Sequence, residues 1–474
     1  MTYHKMGLPI DDCKWLARVL VNMEYKMITV HGPSEASSST TNGKPILGIG
    51  QGATDASAGW LLITTLLTKM YDKSARGYTA VSPCGALSFT WTHTMFVDDA
   101  YLIHASDKAD TQTSNLKQTI QQDLNEWNKG LESTWECING DKTNYVILKW
   151  LFQDDGKPYL DTTISLQNTV KLNTTNTATH IKQLAPDHDI KQFKSLGVRT
   201  PPTLQDHYEL DHILCKSKNF AKFLVSCPLT RKETWVAYTM YFVPSYTYSA
   251  VTLSLPMKNI TRVHQIFMPL LLNKLGIQST FPRAIAFAPR HIGGIGITPF
   301  NVVILQRKIN FLYCHLRANT ELGKVILINI LWAQIQAGRA NPILTSDDCI
   351  DYIENKWIIH LHNELKQMAG KLLISNLPSG KYMRANDVYL MDAWDKENLS
   401  TDTLQKLNYC RMYLQITRLS DIVTNDGHHI QAGYLQGTLV NQYSTHTWPK
   451  QQKPSSNVCK LWKNKLYQTF YRGY

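Results

Sequence analysis

Two adjacent aspartates, Asp98 and Asp99, are the residues of this chain best suited to chemistry. They close Phe96-Val97-Asp98-Asp99, after a stretch in which Phe89, Trp91, His93 and Met95 alternate with Thr90, Thr92 and Thr94. That period of two predicts one strand. A second apolar run, Tyr101-Leu102-Ile103, follows, so Asp98 and Asp99 are expected at the turn of a hairpin. Two like charges side by side repel, and a hairpin turn has easier choices such as Asn-Gly. A divalent cation removes that cost. Mg²⁺ takes a few carboxylates together with substrate phosphates, and two such ions clamp the attacking and leaving oxygens of phosphoryl transfer. A solvated turn without a ligand is the plain alternative for such a string.

Several elements must position that turn. Trp15, Leu16, Val19, Leu20 and Met23 recur at helical spacing, so the first 30 residues read as helical. Asp11 and Asp12 stand at the helix start, where acids favour the helix dipole. A polar loop is expected from Ser34 to Gly43, after which Gly48-Ile49-Gly50-Gln51-Gly52 opens into a helix over Ala58–Met70. Leu116, Ile120, Leu124, Trp127 and Leu131 predict an amphipathic helix. Ile164 and Leu166, then Val170 and Leu172, predict a second hairpin turning at Gln167-Asn168. Beyond Pro201-Pro202 helices dominate, and Thr230 with Glu233 fits a capping box. Boundaries are expected near 185–202 and, in the glycine-rich stretch 291–296, near 290–300. No internal repeat is visible.

The chain has 474 residues, enough for several cores, and its 43% hydrophobic content with 12 Trp and 23 Tyr excludes disorder throughout. A net charge of +12 favours a polyanionic partner, nucleic acid first and an anionic membrane surface second. The longest apolar runs, near Val325–Ala333, fall short of the roughly 20 residues of a membrane span, and no lipidation signal or basic amphipathic anchor stands out. No signal peptide opens at Met1, so no membrane partner and an intracellular location are expected, nucleus and cytoplasm undistinguished. Nine cysteines are scattered from Cys13 to Cys459 without a CxxC, which reads as reduced core thiols and gives no support to a zinc finger.

Basic residues fall in two acid-free stretches. Between Glu233 and Glu321 lie Lys258, Arg262, Lys274, Arg283, Arg290, Arg307, Lys308 and Arg317. A phosphate-lined channel needs such a block, and a hydrophobic region that excludes acids by burial would also produce one. From Thr445 onward Lys450, Lys453, Lys460, Lys463, Lys465 and Arg472 interleave with Trp448, Trp462, Tyr467, Phe470 and Tyr471. Cations with aromatic faces suit single-stranded nucleic acid; a partly packed terminal helix is the other reading.

Four motifs in order give the chain a resemblance to reverse transcriptases of non-LTR retrotransposons and related retroelements. Phe96-Val97-Asp98-Asp99 resembles the family's aromatic-x-Asp-Asp hairpin of the palm. Gly50-Gln51-Gly52 is similar to its Gln-Gly loop, Asn139-Gly140-Asp141-Lys142-Thr143 to its next palm motif, and Phe193-Lys194-Ser195-Leu196-Gly197-Val198 to its Leu-Gly primer grip. Phe281-Pro282-Arg283 and Gly293-Gly294-Ile295-Gly296 look like features of a retroelement-specific region. The resemblance covers about 45–200 well. It implies an α+β fold: a right-hand polymerase palm of antiparallel sheet and helices over 1–190, a thumb-like helical region over 191–290, and a helical extension with a basic aromatic tail over 291–474.

The same resemblance implies RNA-directed DNA polymerase activity with Mg²⁺ or Mn²⁺, on an RNA template, a DNA primer and deoxynucleoside triphosphates. Asp98 and Asp99 would be the catalytic metal ligands and Lys142 would sit near the triphosphate. Gln51 and Gly52 would admit template or nucleotide, Leu196 and Gly197 would grip the primer, and Lys258, Arg262, Arg283, Arg290, Lys460 and Lys463 would meet nucleic acid. The family also uses a further aspartate on a strand before the Gln-Gly loop. The chain reads as starting within the helix that follows that strand, so it is expected to be a truncated reverse transcriptase whose fingers and first aspartate belong to a missing N-terminal segment. A catalytically incompetent nucleic-acid-binding remnant is the alternative. An RNA-directed RNA polymerase is disfavoured, because Val97 rather than glycine precedes the pair.

Overall fold

The computed structural model describes residues 4, 9–21, 24–29, 32–39, 56–97, 99–106, 113–134, 137–153, 158–164, 166, 167, 169–173, 178–185, 194–199, 206–375, 377, 384–442, 444, 446–449 and 451–470. Its secondary structure is mixed, mostly helical with small sheets. The chain divides into two compact units, one of 1–79, 90–145 and 166–183, the other of 80–89, 146–165 and 184–474.

The N-terminal part runs α1 (Ile10–Val21), β1 (Glu24–Thr29), β2 (Gly32–Ser39), α2 (Ala56–Tyr71), β3 (Tyr78–Val81), β4 (Ser88–Trp91), β5 (His93–Phe96), β6 (Asp99–Leu102) and α3 (Thr113–Glu132). Short strands follow: β7 (Asn144–Val146), β8 (Trp150–Phe152), β9 (Pro158–Leu160), β10 (Lys171–Asn173), β11 (Ala178–His180) and β12 (Lys182–Leu184). The described strands pair two by two: β1 with β2, β3 with β4, β5 with β6, β7 with β12, β8 with β9 and β10 with β11.

In the first unit α2 packs on α3. Leu124 and Trp127 of α3 are buried as their spacing predicts, and Trp127 meets Tyr71 edge-on at 5.4 Å. Leu124 joins Val170, Leu172 and Ile181 in a small core. Asp11 and Asp12 occupy the first turn of α1 as expected.

Four expectations are corrected here. The opening helix stops at Val21; β-branched Ile28 and Thr29 lie in β1, and β1 gives the serines of β2 a pairing partner where a loop was expected. The strand expected over Phe89–Met95 is two, broken at Thr92, whose hydroxyl donates to Asp72 Oδ1 at 2.5 Å. Among the described residues no strand pairing joins Ile164 and Leu166 to Val170 and Leu172 around Gln167, and Asn168 lies outside them. The Gln167 backbone is bonded by side chains, with Gln167 O accepting from Tyr145 Oη at 2.8 Å and Gln167 N donating to Gln183 Oε1 at 3.2 Å. The local hairpin is instead β10–β11, with Leu172 opposite Thr179.

From residue 206 the second unit is helical: α4 (His207–Ser226), α5 (Arg231–Val236), a π-helical turn (Ala237–Phe242), α6 (Val243–Ala250), α7 (Met257–Lys274), α8 (Arg283–Phe287), α9 (Phe300–Arg317), α10 (Glu321–Ala337), α11 (Lys356–Gln367), α12 (Leu390–Asp395), α13 (Thr401–Leu414), α14 (Ala432–Leu435) and α15 (Ser456–Phe470). The capping box forms at α5, where Glu233 N donates to Thr230 Oγ1 and Thr230 N to Glu233 Oε2. Residues 80–89 belong to this unit: Trp332 Nε1 donates to Val81 O at 2.7 Å. No helix among the described residues is long and apolar enough to cross a membrane.

The π turn has a readable cause. Pro244 has no N–H with which to donate to the carbonyl of residue 240, and the chain widens, Val243 N donating to Tyr238 O. Thr234, Tyr238, Phe242, Tyr246 and Ala250, four residues apart, are all buried. A straight α-helix would rotate such a row by about 40° per step. The wider turn cancels part of that drift. Phe220 stacks on Phe242 at 4.2 Å and Tyr246 on Phe300 at 4.2 Å in this core.

A second core spans 305–470, and α9 serves both: Phe300 and Ile304 belong to one, Leu305 and Leu312 to the other. Midway, Lys308 is 1% exposed, its Nζ 3.0 Å from Glu364 Oε1. Lys308, expected in a phosphate-lined channel, is therefore an internal ion pair; its acid comes from α11, outside the acid-free stretch. Burial lowers the Lys308 pKa and raises that of Glu364, while each charge opposes its partner's shift.

Arg411, fully buried, donates to Ile335 O at 2.7 Å and Gln336 O at 2.9 Å at the C-terminus of α10, and lies 5.5 Å from the Trp448 ring. Burial lowers its pKa to about 10. Gly338 ends α10 at φ +61, and a Cβ there would fall 2.6 Å from Arg411 Cζ, so only glycine fits.

Lys308→Met should cost about 3–5 kcal/mol in urea unfolding by stranding Glu364, and Lys308→Met/Glu364→Leu should recover most of it. Equal loss in the double variant would show that packing, not charge, is at issue. His264, enclosed by Phe267, Phe287 and Phe300, has its pKa lowered to about 4, by burial first and by Arg283 second. Its folded value lies below the unfolded one. The unfolded chain therefore takes up the proton first, and stability present above about pH 6.5 is lost as pH falls toward 4. A wild-type loss up to about 3 kcal/mol larger than that of His264→Gln over this range is expected from pH-dependent unfolding.

Candidate active site

The β5–β6 hairpin pairs His93 with Leu102, Thr94 with Tyr101, Met95 with Ala100 and Phe96 with Asp99. Asp99 is thus the first paired residue of β6 rather than part of the turn, a correction that leaves two residues between Phe96 and it. Directly opposed side chains share a face. Asp99 stands with Phe96 and Thr94 on the exposed face, while His93, Met95 and Leu102 are half-buried on the other. Asp98, Gln51 and Gly52 lie outside the described residues.

Helix α2 and the turn after it hold this hairpin at both ends. At the tip, Trp60 Nε1 donates to Val97 O at 2.7 Å. Val97 has φ 55, a left-handed conformation that costs a β-branched residue about 1–3 kcal/mol, so the turn needs support from outside. At the base, Asp72 Oδ1 accepts from Thr92 Oγ1 and lies 3.2 Å from His93 Nδ1. Gly77, at φ +63, passes so close to the junction that a Cβ would lie 2.7 Å from Trp91 O.

Behind the hairpin is a buried polar group that the sequence reading missed. Asp123 Oδ2 faces His104 Nδ1 at 3.4 Å, with both side chains about nine-tenths buried. Burial raises the Asp123 pKa against the pull of His104 and Arg76. Tyr71, 3% exposed, has its phenol pushed up by burial first, then by Asp123 and Asp72. These residues come from separate elements, and no local spacing joins them.

Asn139–Thr143 forms a tight turn in the same unit. Asn139 Oδ1 accepts from Asp141 N at 3.2 Å and Lys142 N at 3.3 Å, which leaves Lys142 exposed. No ion pair joins Lys142 to Asp99 among the described residues. No group of three His, Cys, Asp or Glu side chains that could hold a metal ion occurs among them either.

In the second unit Leu196 and Gly197 form a two-residue turn closed by a bridge between Ser195 and Val198. Both have positive φ, 49 and 89, the requirement of a primed turn. Tyr248 Oη donates to Leu196 O at 3.0 Å, and Arg199 N to buried Glu209 at 2.8 Å. His212 is held below its usual pKa by burial first, then by Arg199, Lys216 and Lys194, an electropositive setting in which Glu209 acts the other way.

The remaining cations divide. Lys258 and Arg262 are exposed on α7. Arg283 bonds Ser279 O at 3.0 Å and Phe281 O at 3.1 Å, while Arg290 bonds Ile295 O and lies over Trp235 at 4.8 Å, so both already have partners. Lys460 and Lys463 are exposed on α15. The aromatic half of the expected tail site is corrected: Trp462 is fully buried, its Nε1 donating to Tyr434 O at 3.0 Å, and Trp448 is 8% exposed. Val458, Trp462 and Leu466, four apart, anchor the helix and leave the lysines outward.

Comparison with known families adds nothing to this geometry: no family model matches the chain, and no curated protein matches it.

Trp60→Phe should cost about 1 kcal/mol in unfolding and speed amide exchange across His93–Leu102 more than elsewhere. Uniform exchange in the variant would remove Trp60 from its role as the clamp of the turn.

Proposed function

We propose that the chain is the palm and thumb part of a reverse transcriptase of the non-LTR retroelement type, which binds a primed RNA template and takes Mg²⁺ or Mn²⁺ for nucleotide joining. One observation carries the reading: Phe96 and Asp99 pair across an antiparallel hairpin, with the Asp99 carboxylate exposed. An exposed carboxylate is a hard oxygen donor of the kind Mg²⁺ takes. In this reading Asp98 and Asp99 hold the cation, which would stabilise charge on the transferring phosphate. Lys142 faces the triphosphate, Gln51 and Gly52 admit template or nucleotide, and the Leu196-Gly197 turn supports the primer. The exposed Lys258, Arg262, Lys460 and Lys463 support the binding half of the reading, since phosphate contacts need solvent-facing cations.

Primer extension on an RNA template with deoxynucleoside triphosphates and Mg²⁺ or Mn²⁺ tests the proposal. Extension that Asp98→Asn or Asp99→Asn lowers by roughly a hundredfold supports the enzyme. Salt-dependent binding without extension identifies the nucleic-acid-binding remnant, and no binding to primed template overturns both. In the binding assay Lys460→Gln/Lys463→Gln should lower the log–log salt slope by about 2; an unchanged slope would take α15 out of the interface.

A further inference from the structure

Cys410 and Cys459, far apart in sequence, meet where α13 packs on α15. Cys410 belongs to the second core and is 1% exposed; its Sγ lies 3.9 Å from the carbonyl of Val458, the residue before Cys459. Cys459 is half-buried, with Sγ 3.7 Å from Pro454 O, and both are free thiols. Gly437 lies beside the outer thiol, where a Cβ would come 3.2 Å from Cys459 Sγ, so the absent side chain leaves room there.

We propose that Cys459 and Cys410 form a redox site in which Cys459 reacts with a hydroperoxide and Cys410 resolves the product into an intramolecular disulfide. The Cys459 thiolate attacks the peroxide: an S–O bond forms, the O–O bond breaks and hydroxide leaves. Cys410 then loses its proton and attacks the sulfenic sulfur; the S–S bond forms, the S–O bond breaks and water leaves. With hydrogen peroxide, two thiols are oxidised and the peroxide is reduced to two waters.

The surroundings divide the two roles. The neighbouring Cys410 thiol, assisted by Lys453 and opposed by burial, lowers the Cys459 pKa to about 6. The same closeness, with burial, holds the Cys410 thiol well above its usual range, so it stays protonated until a sulfenic acid is within reach. Two thiols that merely packed one helix on another would need neither difference.

The test uses the full reduced chain at pH 6, where ordinary thiols are almost wholly protonated and Cys459 is about half ionised. Weighing that fraction against the lower intrinsic nucleophilicity of a low-pKa thiol, Cys459 should react with iodoacetamide roughly tenfold faster than an ordinary exposed cysteine. Mass spectrometry reads this against Cys137, Cys215 and Cys314, which are exposed in the same molecule. Hydrogen peroxide should then give a Cys410–Cys459 linked peptide two hydrogens lighter than its parts. Cys410→Ala should instead accumulate a dimedone-reactive acid at Cys459, and Cys459→Ser should abolish both products. Labelling of Cys459 no faster than the three controls, or disulfides that join other cysteines, would overturn the proposal. Both readouts come from the wild-type chain, so they stand whether or not Cys410→Ala folds.

Discussion

The helical unit depends on one internal ion pair. Helix α9 packs into two cores at once, and at its midpoint Lys308 lies on a buried side against Glu364, while Gln306 and Asn310 face water. Desolvating two charges costs several kcal/mol, and only close contact offsets it. Once made, the pair fixes where α11 meets α9, because a slip by one turn would leave both charges unpaired. Arg411 does similar work in the second core, bonding the last carbonyls of α10 while Gly338 makes room for it. Lys308 and Arg411 are therefore internal cations that cannot meet a polyanion.

Around the candidate hairpin the constraint is of another kind. A two-stranded ribbon is marginal by itself. This one has α2 and its following turn at both ends, through Trp60 at the tip and Asp72 at the base. The Val97 conformation is costly for a β-branched residue, and that cost is local to the turn next to Asp99. Strain beside an exposed carboxylate, supported from a helix, fits a surface whose geometry matters more than its stability.

What could be read from the sequence was local. The stripe through Leu124 and Trp127, the capping box at Thr230 and the turn at Leu196-Gly197 each depend on residues within one helix or one turn, and each is found. At the break, Thr92 bonds to Asp72, twenty positions earlier and beyond any strand period. The Gln167 segment has hairpin-like residues, yet side chains from Tyr145 and Gln183 take its backbone bonds. The alternation of aromatic and basic residues in the tail leaves a stacking surface and a partly packed helix both open; a spacing of four with Val458 and Leu466 marks Trp462 as core. For the site, Asp99 is exposed at the start of β6 and Lys142 on a tight turn, while the buried Asp123–His104 pair had no local signal. The four-residue row from Thr234 to Ala250 was legible in principle, since no straight α-helix keeps that period on one side.

That row carries a consequence for the outer surface of the protein. Widening the helix at 237–242 keeps the inner side chains aligned, and it leaves Met240 and Tyr241 turned out, 75% and 72% exposed. Two large apolar groups facing water lower solubility. The inward regularity and the outward stickiness thus have the same origin, the proline at 244 that cannot donate. Replacing Pro244 to straighten the helix would change how the protein behaves at high concentration as well as how its interior packs.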